Sequence, residues 1–323
     1  MNYKLEQIPI SLISGERTFQ ISTASDDSRL AASIQDLGML VPPILLEENG
    51  IFLVISGFRR IAVCRNLGWE AVCARIMAPG TDRSVCARYA IADNALQRSL
   101  NLIEMSRCFR LLEKFYHTIE PMALAAGSLG LPDSMAAIRK ILPLCDMGLA
   151  IQKGVLAGTI PLPMALELGK MADGELLAHI FDRLRLSLNK QREVLTLSTE
   201  IALREGLSLA EFFEDGPVKD ILEADTDRNF ITRELRRYLR HRRFPALSAA
   251  EDQFDVLVKG LKLEPGIQLI APPYFESQTY AFHLQFKNMA ELAGCIAAVE
   301  KVTQSPALRQ FWGDDQYVQL ENG

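Results

Sequence analysis

Residues 54–68 read Val-Ile-Ser-Gly-Phe-Arg-Arg-Ile-Ala-Val-Cys-Arg-Asn-Leu-Gly, and the rest of the chain is organised around them. The apolar run from Ile51 to Ile55 has the length and β-branched content of a strand, and it meets Ser56-Gly57. Beyond that pair, Ile61, Ala62 and Leu67 fall at helical spacing. Gly57 lets the backbone come close to a ligand at the strand-to-helix turn. The new helix points its free N–H groups and the positive end of its dipole at the same place. Arg59 and Arg60 add two guanidinium forks that match phosphate oxygens in shape and charge. This describes an anion site for a nucleotide phosphate. It equally describes a helix start with solvated arginines, and the stretch by itself leaves both open.

On its N-terminal side, residues 5–13 predict a strand and residues 28–37 a helix capped by Gly38. Residues 41–46 predict a strand entered through Pro42-Pro43, and Asn49-Gly50 a hairpin turn into 51–55. On its C-terminal side, a helix over 57–67 leads to a strand over 71–77, closed by Pro79-Gly80. From about residue 83 the apolar spacing turns helical, over 83–92, 102–115, 121–128 and 133–142, and then through 145–155, 161–171, 174–188 and 189–204. The helices at 121–128 and 133–142, joined by Leu129-Gly130-Leu131-Pro132, suit a helix-turn-helix, although ordinary helical packing gives the same pattern.

Residues 228–243 carry seven arginines (Arg228, Arg233, Arg236, Arg237, Arg240, Arg242 and Arg243) against one acid, Glu234. Arg233, Arg236, Arg237 and Arg240 share one helix face, which suits phosphate contacts or an acidic partner. A solvated face with local ion pairs is the alternative. A helix over 245–263, a break at Glu264-Pro265-Gly266, strands over 267–271 and 279–286 and a helix over 289–302 form a small C-terminal module, a candidate for dimerisation. His283, on the polar side of its strand, reads as an ordinary surface histidine.

The chain has 323 residues, enough for two or three domains. At 49% hydrophobic and 23% charged it has an ordinary globular composition, and a net charge of −5 argues against a uniformly basic nucleic-acid coat. Six cysteines without a CxxC pair point to reduced thiols, and to no structural zinc. With no signal-type N-terminus and no apolar run of spanning length, the expectation is a cytoplasmic protein without membrane contact.

The order of these pieces resembles the ParB family of DNA-partition proteins. Ser56-Gly57-Phe58-Arg59-Arg60 stands where the family has a Gly-Glu-Arg-Arg-type box. Ser33-Ile34, Gly38 and Val41-Pro42-Pro43-Ile44 match its Ser-Ile…Gly…Gln-Pro-Ile pattern, and Asp93-Asn94, Leu100, Ile103 and Glu104 match its Glu-Asn box and following helix start, with Gln97-Arg98 displaced by one. The similarity runs to about residue 200.

The resemblance implies an α+β protein. A ParB-like nucleotide-binding domain (1–82) precedes a helical domain with a helix-turn-helix (83–205), a basic helical linker (206–245) and the C-terminal module (246–323). It implies a nucleoid-associated, CTP-gated DNA clamp, with DNA, a second copy of the chain and a ParA-type ATPase as partners. Carried over by position, Ser56, Gly57, Arg59 and Arg60 take the phosphates of CTP, Pro42 and Pro43 flank the base, and Asp93 and Asn94 bind Mg²⁺. DNA contacts fall to Ser134, Arg139 and Lys140 in the candidate recognition helix and to Arg233, Arg236, Arg237 and Arg240. Phe58 in place of the box glutamate allows a slow CTPase at most, and Val41 replaces the glutamine before the first proline. The recognition helix opens with Asp133, Ser134, Met135, Ala136 and Ala137, a poor set for reading bases.

Two other functions fit the same scaffold. A protein-interaction adaptor suits the acidic balance and the plain recognition helix. A kinase- or nuclease-like enzyme is the other, but the related sulfiredoxins attack with a cysteine where this chain has Phe58, and a metal nuclease needs more clustered carboxylates than Asp93 with Asp82 or Glu104.

Overall fold

The computed structural model describes residues 4–24 and 26–312, so the last residues of the expected C-terminal module, 313–323, lie outside them. The chain divides into two compact units, residues 1–192 and 193–323. The first opens with a four-stranded sheet in the order β1-β4-β2-β3, built from β1 (Lys4–Pro9), β2 (Ile44–Glu48), β3 (Ile51–Ser56) and β4 (Ala71–Ile76). β1 runs antiparallel to β4, β2 parallel to β4, and β2 and β3 form a hairpin. Asn49 and Gly50 both turn through positive φ (55° and 77°), which matches the right-handed twist of the strands they join.

Helix α1 (Ser28–Leu37) ends at Gly38 (φ 75°), and α2 (Phe58–Asn66) starts directly behind β3. Ile34, Phe52, Val54, Ile61, Cys64 and Val72 form one buried core with them. Leu53 and Ile55 alternate onto the opposite face of β3, which α3 (Arg83–Ala95) covers. Burial on both faces is why β3 reads as an unbroken apolar run.

Two expected strands are shorter than their apolar runs. β1 stops at Pro9, where a 3₁₀ turn (Ile10–Leu12) takes over, and β2 starts at Ile44, after the prolines. Proline has no N–H for the ladder, so Pro43 contributes only its carbonyl, which accepts from Arg75 N at 2.8 Å.

The remainder of this unit is helical: α4 (Leu102–Glu113), α5 (Ile119–Ser128), α6 (Met135–Ile141), a 3₁₀ turn (Leu142–Asp146), α7 (Leu149–Leu156), α8 (Leu162–Leu168) and α9 (Gly174–Leu184), with α10 (Leu188–Glu205) beginning at its end. α4 carries the fully buried Ile103, Phe109 and Leu112 and packs against α3, α5, α6 and α7. The expected helix over 133–142 is shorter, seven residues beginning after Ser134.

The second unit holds most of α10, then α11 (Leu209–Glu214), α12 (Gly216–Glu223), α13 (Arg228–Arg243), α14 (Pro245–Leu261), α15 (Met289–Thr303) and α16 (Pro306–Trp312), with a hairpin of β5 (Ile267–Ile270) and β6 (Ala281–Leu284) between α14 and α15. Phe254, Phe275, Tyr280, Phe311 and Trp312 form an edge-to-face aromatic cluster there. β6 alternates as its residues predict, with Phe282 and Leu284 half-buried and His283 exposed. All six cysteines are free thiols. Burial pushes the Cys86 thiol up to about 11, so it stays protonated at neutral pH. Among the described residues, no helix is long and apolar enough to cross a membrane.

Candidate functional site

β3 delivers Ser56 and Gly57 to the mouth of a cleft of about 310 Å³ inside the first unit. Gly57 caps α2 in the left-handed region (φ 96°), and a Cβ there would lie 2.8 Å from Pro43 Cβ. Glycine is required on both counts. Phe58, Arg59 and Arg60 follow in the first turn of α2, and the last turn of α3 with the loop behind it supplies Asp93, Asn94, Gln97 and Arg98. The two boxes, more than thirty positions apart in sequence, therefore share one cleft.

Asp93 is the hub of this cleft. Its Oδ2 accepts from the Ser56 hydroxyl and lies 3.7 Å from Arg60 Nη2, and its Oδ1 accepts from Gln97 Nε2 at 2.9 Å. Arg60 Nη1 also donates to the carbonyls of Val41 (2.6 Å) and Pro42 (3.3 Å). Burial pulls the Arg60 guanidinium below its ordinary value, and the Asp93 carboxylate opposes that. Arg59 donates to the Asp27 carboxylate through Nε and to the Asp26 carbonyl through Nη2, the latter at 2.7 Å. Asn94 spends its Nδ2 on Ala90 O at 2.8 Å, which leaves its amide oxygen available.

Pro42 and Pro43 do not line the cleft. Pro43 backs Gly57, and the Pro42 carbonyl anchors Arg60. The opposite wall comes from Gln20, Ile21 and Ser22, which sequence reasoning missed. Their loop has no periodicity, and long-range bonds hold it: Thr23 N donates to Glu104 Oε1 (2.9 Å), and Arg107 Nη1 to the carbonyls of Ser22 (3.0 Å) and Ile21 (3.2 Å). Glu104 is 2% exposed and takes the Arg98 fork at 2.7 and 2.9 Å. Burial alone would raise its carboxyl. The Arg98 fork and the amides of Thr23 and Asn101 outweigh that and hold it below the usual carboxylate range.

Among the described residues no cluster of three or more His, Cys, Asp or Glu can hold a metal by itself, and Asp93 is the one acid lining the cleft. One carboxylate, the Ser56 hydroxyl and the Asn94 amide oxygen are hard donors of the kind Mg²⁺ takes when phosphate oxygens and water complete its shell. The residues fit that ion.

The other candidate residues lie elsewhere. Ser134 is the N-cap of α6 and makes no side-chain capping bond; Arg139 and Lys140 are exposed in its last turn. On α13, Arg236 pairs with Glu193 at 2.8 Å, Arg240 with Glu251 at 2.6 Å, Arg243 with Glu200 at 2.6 Å, and Arg242 with both Glu205 and Asp215. Arg233 and Arg237 share Glu234 at 3.5 and 3.7 Å.

The fold and this cleft define a class: an α/β domain with an arginine-lined cleft, followed by helices. Residues 2–95 match the family model of the ParB N-terminal domain. A nucleoid occlusion protein of Halalkalibacterium halodurans is 30% identical over 128 residues, which are 38% of this chain and 44% of that protein. A probable chromosome-partitioning protein ParB of Campylobacter jejuni is 28% identical over 131 residues, 41% and 45% of the two chains. The chain thus spans less than half the length of the curated relatives it matches. The crystal structure of the C-terminally truncated chromosome-partitioning protein ParB from Caulobacter crescentus complexed with CTP-gamma-S covers 55% of this chain and 98% of its own at 20% identity. Its TM-score of 0.27 is too low to support any superposition of parts.

Proposed function

We propose that this chain is a ParB-like DNA-binding protein whose N-terminal cleft takes CTP with Mg²⁺ and whose nucleotide state gates a homodimeric clamp on DNA. The observation that carries this reading is the meeting of residues 56–60 with residues 93–98 around one cleft in a ParB N-terminal domain. Its relatives are named for chromosome partition and nucleoid occlusion, which supports DNA as partner and a place at the nucleoid. A ParA-type ATPase belongs to the same reading.

In the cleft, the α2 N-terminus, Arg59 and Arg60 bind phosphate oxygens, and Gly57 lets them approach the backbone. Asp93 and Asn94 would hold the ion, which would supply positive charge to neutralise phosphate oxygens. To receive phosphates, Arg60 turns its free N–H groups away from Asp93, so binding exchanges an internal ion pair for a ligand contact. Phe58 carries no group that can take a proton from water, so the chain is at most a slow CTPase. Ser134, Arg139 and Lys140 on α6, with the exposed Arg233 and Arg237 on α13, are the DNA contacts of this reading.

The test is calorimetric titration of CTP, ATP and GTP with Mg²⁺ into the wild type and Arg60→Ala. Selective CTP binding that disappears in the variant is the expected result. Binding of ATP alone moves the reading to a kinase-like enzyme, and no nucleotide binding overturns the gate. A protein-interaction adaptor is the second reading, favoured by the ion pairs that occupy the α13 arginines. A duplex-binding titration against salt separates the two, because a phosphate-driven contact weakens steeply as salt rises.

A further inference from the structure

A second cleft of the first unit, about 350 Å³, lies between the 17–21 loop and α4. Arg17, Arg107, Arg110 and Lys114 line it, and no carboxylate does. Arg107 and Arg110 on α4 and Lys114 at its C-cap stand at i, i+3 and i+7, so they share one face, and the loop brings Arg17 across to them. Nearby acids neutralise part of this charge: Arg110 gives its terminal nitrogens to Glu113 and Asp146. Arg107 instead spends Nη1 on the carbonyls of Ile21 and Ser22, which carry no charge. Arg17 and Lys114 are exposed and form no ion pair among the described residues. Three cations in the cleft are thus uncompensated, in a chain whose net charge is −5.

Arg110 Nε is buried and has no hydrogen-bond partner. A buried unpaired donor costs about 1–3 kcal/mol, and with its terminal nitrogens held by Glu113 and Asp146, Arg110 leaves the cleft's ligand contacts to Arg17, Arg107 and Lys114. A concave site of this size with convergent guanidinium groups suits one or two phosphate groups.

We propose that this cleft is a second anion site, distinct from the nucleotide cleft, that takes the phosphate groups of a small phosphorylated ligand or of a nucleic-acid backbone. Gln20 and Ile21 line both clefts, so the two sites are separated by one stretch of chain. The site does not depend on the nucleotide reading, because none of its cations belongs to residues 56–60 or 93–98.

The test uses the full chain carrying Arg60→Ala, so that phosphate binding at the first cleft is removed. Inorganic pyrophosphate, and separately a duplex of mixed sequence, are titrated into this variant with and without Arg17→Ala and Lys114→Ala. Both residues are exposed, and an unchanged urea midpoint shows that their loss leaves the fold intact. The expected result is a loss of about tenfold or more for at least one probe when both cations are removed. Loss for pyrophosphate assigns a small phosphorylated ligand, and loss for the duplex alone assigns the nucleic-acid backbone. Affinities for both probes that stay unchanged, or no binding of either probe to the parent, overturn the proposal.

Discussion

Two regions of this molecule are rich in arginine, and they use it differently. In the N-terminal cleft, Arg60 holds two backbone carbonyls and shares a single carboxylate with Ser56 and Gln97, at a surface that opens on a cavity. On α13, six of seven arginines face carboxylates from α10, α13, α14 and Asp215, with Arg228 outside these pairs. Arg242 sits against the Tyr238 hydroxyl (2.9 Å) and the Phe212 ring (5.1 Å) as well, so it clamps α11 and α12 to α13. A run of arginines in a sequence therefore says little until its acids are located. The cleft leaves Arg60 one shared carboxylate, whereas the helix spends most of its charge on its own unit.

The largest effect that can break this contrast is expected at the cleft. Arg60→Ala should weaken CTP binding by about a hundredfold or more, as befits a charge-assisted contact to phosphate. Calorimetry that finds CTP affinity unchanged would remove the distinction between the two regions.

Glu104 sharpens the contrast, because its partner Arg98 lines the cleft yet gives both terminal nitrogens to it. Glu104→Gln should cost about 1–3 kcal/mol in urea unfolding near neutral pH. The native carboxyl is held below its ordinary value of 4.5, so its contribution is complete above that value and fades as pH falls through the lower native one. The difference between wild type and variant should shrink in acid, and a pH-independent difference would show that the charge is not what matters.

Arg242→Ala should destabilise the second unit by about 1–2 kcal/mol, less than Glu104→Gln because its ion pairs are partly solvated. Chemical denaturation reads this directly. The hydrogen bonds to Glu205 hold the Arg242 guanidinium above its ordinary value. Smallest of all, Arg233→Ala and Arg237→Ala should each change stability by less than about 0.5 kcal/mol, since both side chains are exposed and share one acid. A matching small loss in duplex affinity, with a shallower salt dependence, is the signature of phosphate contact. A large stability loss there would erase the difference from Arg242.

The architecture around the cleft was largely legible because local chemistry enforces it. Asn49-Gly50 admits few turns, and the run 51–56 ending in glycine before Phe58 admits one reversal of backbone direction into a helix. Asp93-Asn94, matched to the second box, lines the same cleft as the first. The Gln20–Ser22 wall was invisible, since its position depends on Glu104 and Arg107, more than eighty positions away. α11 and α12 were not told apart within the expected helical linker over 206–245, although Ser208 and Glu211 form a capping box and Pro217 sits in the first turn of α12. The acids that neutralise α13 are spread from Glu193 to Glu251, so no window of sequence displays them together.

Gly57 has one further consequence, for the mutational history of the protein. Its left-handed φ strains any side chain, and Pro43 occupies the space a methyl group would need. In a saturation library selected for folded protein, every codon at position 57 except those for glycine should be depleted, whatever nucleotide the cleft holds. Position 58, where Phe58 lines the cleft and packs against the neighbouring core, remains open to exchange. Descendants of this chain can alter the chemistry of the cleft at the residue after the glycine while the glycine itself stays put.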